Sequence, residues 1–198
     1  MAGSPSMRQI ETCSTLPQIS EADRLAALVL TRRAVTRAVA GGLAEDLPRH
    51  GFFGERRGAF VTLRVLGKLR GCIGIIEPEC SVAETLVKCA MSAALEDPRF
   101  SPIRPEELPA LIIEISLLSP IALIQPEDIE IGRHGLLVAR DGSRGVLLPQ
   151  VAVEYGLDRY QFLRETCRKA GLADDAWRDR KTAVFGFTAE HFCEEALA

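Results

Sequence analysis

Ala59-Phe60-Val61-Thr62-Leu63-Arg64-Val65-Leu66, then Gly67-Lys68, then Leu69-Arg70-Gly71-Cys72-Ile73-Gly74-Ile75-Ile76 sets two apolar segments on either side of a turn signal. The first eight residues alternate. Val61, Leu63 and Val65 share one face, and Phe60, Thr62, Arg64 and Leu66 the other, as a strand with two different faces requires. Gly67-Lys68 predicts a two-residue hairpin turn of type II′, with glycine at its first central position. The chain then returns as a second strand to Ile76, so the pairing is antiparallel. In that strand Arg70, Cys72 and Gly74 face opposite to Leu69, Gly71, Ile73 and Ile75 unless a bulge intervenes. Glycine inside a strand marks a bulge or a close approach by a ligand or another backbone. A cysteine beside a fixed positive charge has the setting of a reactive thiolate. Leu69–Gly74 therefore reads either as a reactive site or as a tightly packed crossing.

N-terminal to this stretch, Ser20 opens a helix, with Asp23 three residues on approximating a capping box. Leu25, Leu28, Val29, Val35 and Val39 follow at helical spacing, and Gly41-Gly42 ends it. Residues 45–58 read as a loop. Ser81-Val82-Ala83-Glu84 is a capping box that starts a helix to about Glu96, with Val82, Leu86, Cys89, Ala90 and Ala93 inward. Asp97-Pro98-Arg99-Phe100 ends that helix. Residues 111–119 form an apolar strand interrupted by Glu114, which shares a face with Ile112, Ser116 and Leu118. Strands over 135–139 and 145–148 flank Asp141-Gly142, and residues 149–155 predict a short helix. Asp158 caps the next helix with Gln161 at the reciprocal position. Tyr160, Leu163 and Cys167 form its stripe, and Gly171 ends it. Residues 182–187 read as the last strand and 189–197 as the last helix. The sum is about six strands and five helices. It predicts an α+β fold with a largely antiparallel sheet flanked by helices and a smaller packed sub-lobe. Residues 1–19 read as a flexible tail and 20–198 as a single domain.

Bulk properties narrow the function. The chain has 198 residues, 47% of them hydrophobic, with a formal net charge of -3 and a pI of about 5.7. That balance gives no general electrostatic footprint for nucleic acid. No apolar run approaches the roughly 18–20 residues that span a bilayer, and the N-terminus lacks the apolar core of a signal peptide. The expectation is a cytoplasmic protein. Its six cysteines form no CxxC pair and read as reduced thiols. No G-x-G-x-x-G, P-loop, H-E-x-x-H or G-x-S-x-G motif occurs, so no cofactor or metal is assigned.

The Leu69-Arg70-Gly71-Cys72-Ile73-Gly74 hexapeptide resembles the signature of the AMMECR-type domain family. The likeness continues through Gly58–Leu63, Asp97-Pro98-Arg99-Phe100, Glu107-Leu108, Glu114 and Ser116, and His134-Gly135-Leu136. Gly145-Val146-Leu147-Leu148-Pro149-Gln150-Val151, Cys167–Leu172 and Trp177 complete it, over roughly residues 20–192. The resemblance implies an α+β fold of a larger and a smaller lobe. It also implies kinship with system protein A of the AmmeMemoRadiSam arrangement, alongside a Memo-like and a radical-SAM protein. The family carries no firmly assigned reaction.

Cys72 is the candidate nucleophile, with His134 and Glu114 as candidate proton-handling partners, since a thiol catalyst needs a base and an orienting group. Arg70 and Arg99 are candidate anion binders, and Arg70 is an equal candidate for an ion pair with Glu114. Gly71, Gly74 and Gln150 complete the candidate ligand contacts. His50 and His191 read as surface residues. The leading expectation is an enzyme or enzyme subunit using Cys72. The alternatives are an adaptor module on the same surface and, more weakly, an RNA- or translation-associated factor.

Overall fold

The computed structural model describes residues 19–42 and 47–194. The stretch read as an N-terminal tail lies almost entirely outside them, as does Cys13. In chain order the elements are α1 (Glu21–Val39), β1 (Ala59–Val65), β2 (Lys68–Ile75), α2 (Val82–Leu95), β3 (Leu111–Leu118) and β4 (Ala122–Leu123). Then come β5 (His134–Arg140), β6 (Ser143–Leu147), α3 (Pro149–Glu154), α4 (Arg159–Lys169) and β7 (Ala183–Cys193). Short 3-10 segments lie at Gly51–Gly54, Pro105–Ala110, Pro126–Asp128 and Ala176–Arg178. Every strand pairing is antiparallel, and the fold is α+β.

The residues divide into two compact units. Among the described residues the larger comprises 19–119 and 189–194, and the smaller is Pro120–Thr188. In the larger unit the strand order is β2-β1-β3-β7, with β2 at an edge. One face of this sheet carries Val61, Leu63, Ile113, Ile115 and Phe192 into a core closed by α1 and α2. In the smaller unit β4 and β5 flank the first half of β7, β6 pairs with β5, and α4 packs over Leu136 and Val138.

The capping boxes at Ser81–Glu84 and Asp158–Gln161 form as their sequences require, and Ser20 accepts from the Asp23 amide. Elsewhere packing overrode the sequence pattern. The hairpin turn is Leu66-Gly67, not Gly67-Lys68. Both residues have positive φ (50° and 76°) and Val65 pairs with Lys68, which is a type I′ turn. The bulge falls at Arg70, because Leu63 faces Gly71 while Arg64 faces Leu69. In α1 the buried stripe is Ala27, Leu28, Leu30, Thr31, Val35 and Ala38, and Leu25 and Val29 are exposed. In α4 the buried residues are Phe162, Leu163, Thr166 and Cys167, so Leu163 and Cys167 lie inward as expected while Tyr160 is half-exposed and stacks on Trp177.

Over 189–193 the expected last helix is instead the second half of β7, and residues 195–197 of that expectation lie outside the described residues. Glu190 and Glu194, which gave that stretch its helical composition, are anchors. Glu190 accepts from the Ile19 amide and pairs with Arg24 and Arg57; Glu194 accepts from the Ile113 amide and pairs with Arg32. Phe192 between them enters the core.

Candidate functional site

Strand alternation puts two rows of side chains on the face of the larger unit's sheet away from its core. Across β2, β1, β3 and β7 the first row is Cys72, Thr62, Glu114 and Cys193, and the second is Gly74, Phe60, Ser116 and His191. The Thr62 hydroxyl donates to the Cys72 sulfur at 3.2 Å. Arg64 donates to Glu114 at 2.7 Å, and Ser116 Oγ lies 3.3 Å from His191 Nδ1.

Cys72 sits on the edge strand, whose outward backbone groups have no strand partner among the described residues. An unpaired edge invites association with other chains. Here it is closed from within. The Cys72 N–H donates to Asp97 Oδ2 at 2.8 Å, and the Cys72 carbonyl accepts from Arg99 Nη2 at 3.0 Å. Asp97 also accepts from the Arg99 amide and from Arg99 Nε and Nη2. The Arg99 guanidinium, and then the Cys72 and Arg99 amides, hold the buried Asp97 carboxyl well below the usual aspartate range. Arg99 itself is half-exposed.

The two glycines are explained by close approach. A Cβ on Gly71 would lie 2.1 Å from the Ala93 carbonyl oxygen at the end of α2, and one on Gly74 would lie 2.1 Å from the Phe60 ring. The bulged Arg70 reaches Glu107 through two hydrogen bonds (2.7 and 3.1 Å) and donates to the carbonyls of Ser101 and Pro102. Arg70, aided by the Arg104 amide, holds the Glu107 carboxyl below its ordinary value. The ion pair weighed between Arg70 and Glu114 does not form; Arg64 takes Glu114.

The other cysteines provide a contrast. Cys89 and Cys167 are fully buried, and burial pushes the Cys89 thiol up to about 12 and raises that of Cys167. Cys72 is only partly covered.

The AMMECR1 family model matches residues 27–192. The chain belongs to the AMMECR1 family. A Methanothermobacter thermautotrophicus protein is 46% identical over 160 residues, spanning 77% of this chain and 82% of the relative. A Methanosarcina acetivorans protein is 40% identical over 190 residues, spanning 89% and 94%. The crystal structure of the uncharacterized protein PH0010 from Pyrococcus horikoshii superposes with a TM-score of 0.81 at 41% identity, covering 86% of this chain and 91% of that one.

Within this AMMECR1-family chain the expected site residues separate. Cys72, Glu114, Arg70, Gly71, Gly74 and Arg99 belong to the larger unit, and His134 and Gln150 to the smaller. His134 is buried, and its Nδ1 accepts from the Glu130 amide at 3.0 Å. That bond requires Nδ1 to be unprotonated, and burial lowers the ring's pKa below its usual value. Gln150 is exposed in the first turn of α3. Sequence reasoning missed His191 and Cys193 as members of the polar face. The signal was their alternation about Phe192, which becomes visible once 189–193 is read as strand. Among the described residues, no group of three or more His, Cys, Asp or Glu is arranged to hold a metal ion, and no helix is long and apolar enough to cross a membrane.

Proposed function

We propose that the protein is the thiol-bearing component of an enzyme, in which the polar face of the larger unit's sheet takes a substrate and Cys72 meets its electrophilic atom. The observation that carries this reading is the treatment of Cys72. Its backbone is clamped by Asp97 and Arg99, its sulfur is fixed by Thr62, and its side chain is left partly uncovered. Cys89, a packing cysteine, also bonds through its sulfur, to the Ala59 carbonyl, but it is wholly enclosed in the core.

Arg99 supports the reading further. Its Nε and Nη2 are engaged, while Nη1 makes no hydrogen bond among the described residues. One nitrogen of the Asp97-paired guanidinium is thus left to donate to an anionic group on the substrate. Glu114 lies two strands from Cys72, about 9–10 Å between Cα atoms, and acts on bound substrate rather than on the sulfur. The sulfur's hydrogen-bond partner among the described residues is a hydroxyl, so substrate or a second protein supplies the base. The Memo-like and radical-SAM proteins implied by the resemblance are the partners this reading assigns. An adaptor would call for an apolar docking patch, and this face offers Phe60 and Ile112 among Thr62, Arg64, Glu114, Ser116 and His191.

The test is site-resolved alkylation of the folded protein across pH. Cys72 is expected to react well before Cys89 and Cys167, and Cys72→Ser to unfold normally while losing covalent capture of an electrophilic substrate analogue. Protection of Cys72 until the protein unfolds overturns the reading.

A further inference from the structure

The smaller unit holds a groove of about 530 Å³, lined by Leu147 at the end of β6, Val151 and Tyr155 at α3, Leu157, and Glu165, Arg168 and Lys169 on α4. This volume lies in the range of small-molecule sites, which pair an apolar lining with a few placed polar groups. The floor is aliphatic and carries one aromatic ring, Tyr155, whose side chain is largely exposed.

The charges of the rim have a definite sign. Arg168 pairs with Glu165 at 2.7 Å and with Asp174 at 2.6 Å, and Arg164 lies 3.9 Å from Asp174. Two guanidiniums thus meet two carboxylates. Lys169 pairs with no carboxylate among the described residues and is exposed. The surplus charge at the mouth is therefore one ammonium, set beside an apolar floor.

The groove is also built rather than incidental. Gly145 of β6 lets the end of α4 come in close, because a Cβ there would lie 2.3 Å from the Ala170 nitrogen. The α4 end is then fixed by Gly171 at φ +71° and by the Leu172 amide donating to the Cys167 carbonyl. This closure holds Lys169 at the rim of the groove.

We infer that this groove is a binding site for a small apolar carboxylate, whose hydrocarbon or aromatic body lies on Leu147, Val151 and Leu157 and whose anionic end meets Lys169. The site belongs to the smaller unit and does not depend on Cys72.

The matched probes are 2-naphthoate and 2-naphthamide, equal in shape and different in charge, titrated into the full chain by calorimetry and by NMR. The naphthoate is expected to bind saturably and about tenfold more tightly than the amide, as one charge-assisted contact allows. Lys169→Met is expected to abolish that tenfold preference while leaving naphthamide binding unchanged, and Lys169→Arg to restore it. Val151→Trp fills the groove and is expected to remove binding of both probes without loss of the native circular dichroism. Equal affinity for the two probes, an unaltered preference in Lys169→Met, or no saturable binding overturns the inference.

Discussion

Asp97→Asn tests the edge clamp directly. The wild-type carboxylate accepts four hydrogen bonds: from the Cys72 amide at 2.8 Å, the Arg99 amide at 3.1 Å, and Arg99 Nε and Nη2 at 2.9 and 2.7 Å. An asparagine of the same shape keeps one carbonyl oxygen and turns an NH2 toward donors. The Arg99 guanidinium is 55% exposed, so water compensates most of its share. The amide left facing the NH2 is not so compensated, and an unsatisfied buried donor costs about 1–3 kcal/mol. The expected loss at pH 7 is about 2 kcal/mol for the larger unit.

The sign of its pH dependence follows from the Asp97 carboxyl. The folded state holds that group below its ordinary value of 3.8. Its contribution is therefore complete well above pH 3.8 and is lost as pH falls from there through the folded value. The wild-type advantage over Asp97→Asn shrinks by about 1.4 kcal/mol per pH unit in that window, so about 1 kcal/mol of the gap closes by pH 3. Site-resolved hydrogen exchange at the Cys72 amide reads the local effect, and urea unfolding by far-UV circular dichroism reads the global one. Equal exchange rates in the two proteins at pH 7, or a stability gap that stays constant from pH 7 to pH 3, would refute the reasoning.

Two further outcomes follow from the same geometry. Leu66→Asn is expected to stabilise the hairpin by about 0.5–1 kcal/mol, because Leu66 is 83% exposed and held at φ 50°, where asparagine fits a type I′ turn; a lower unfolding midpoint would contradict this. Burial depresses the folded-state pKa of His134, so the smaller unit is expected to lose stability as pH falls below the ordinary 6.5. His134→Gln should flatten that dependence, and an NMR titration of the ring at or above 6.5 would overturn it.

What was legible in the sequence was local. The capping boxes, the alternation of β1 and the inward stripe of α2 depend on neighbours a few residues apart, and each formed. What was not legible depended on partners far along the chain. Glu190 and Glu194 resemble the exposed face of a helix until Ile19, Arg24, Arg32 and Arg57 arrive to pair with them. Arg70 and Glu114 look like natural partners until the bulge turns Arg70 toward Glu107 and leaves Arg64 opposite β3. His134 stands in a motif and so drew attention, yet its ring completes a turn in the smaller unit.

These placements change what the hexapeptide means. Leu69–Gly74 presents two alternatives in sequence, a reactive site or a packed crossing, and the structure divides them by residue. Arg70, Gly71 and Gly74 each have a structural reason: a two-pronged ion pair, a helix carbonyl at close range, an aromatic ring overhead. These account for the motif without chemistry, and together they make β2 rigid along both its face and its free edge. Cys72 is the residue that they do not explain. A small apolar side chain would satisfy the same backbone clamp, because Asp97 and Arg99 bind only its amide and carbonyl. The sulfur adds one contact, to Thr62, on the polar face rather than in the core. A rigid strand that presents a thiol from a fixed backbone is what a covalent step needs, since misplacement of a reacting atom by about 1 Å lowers rates steeply. The structural roles of its neighbours are therefore part of the argument for Cys72, and not an alternative to it.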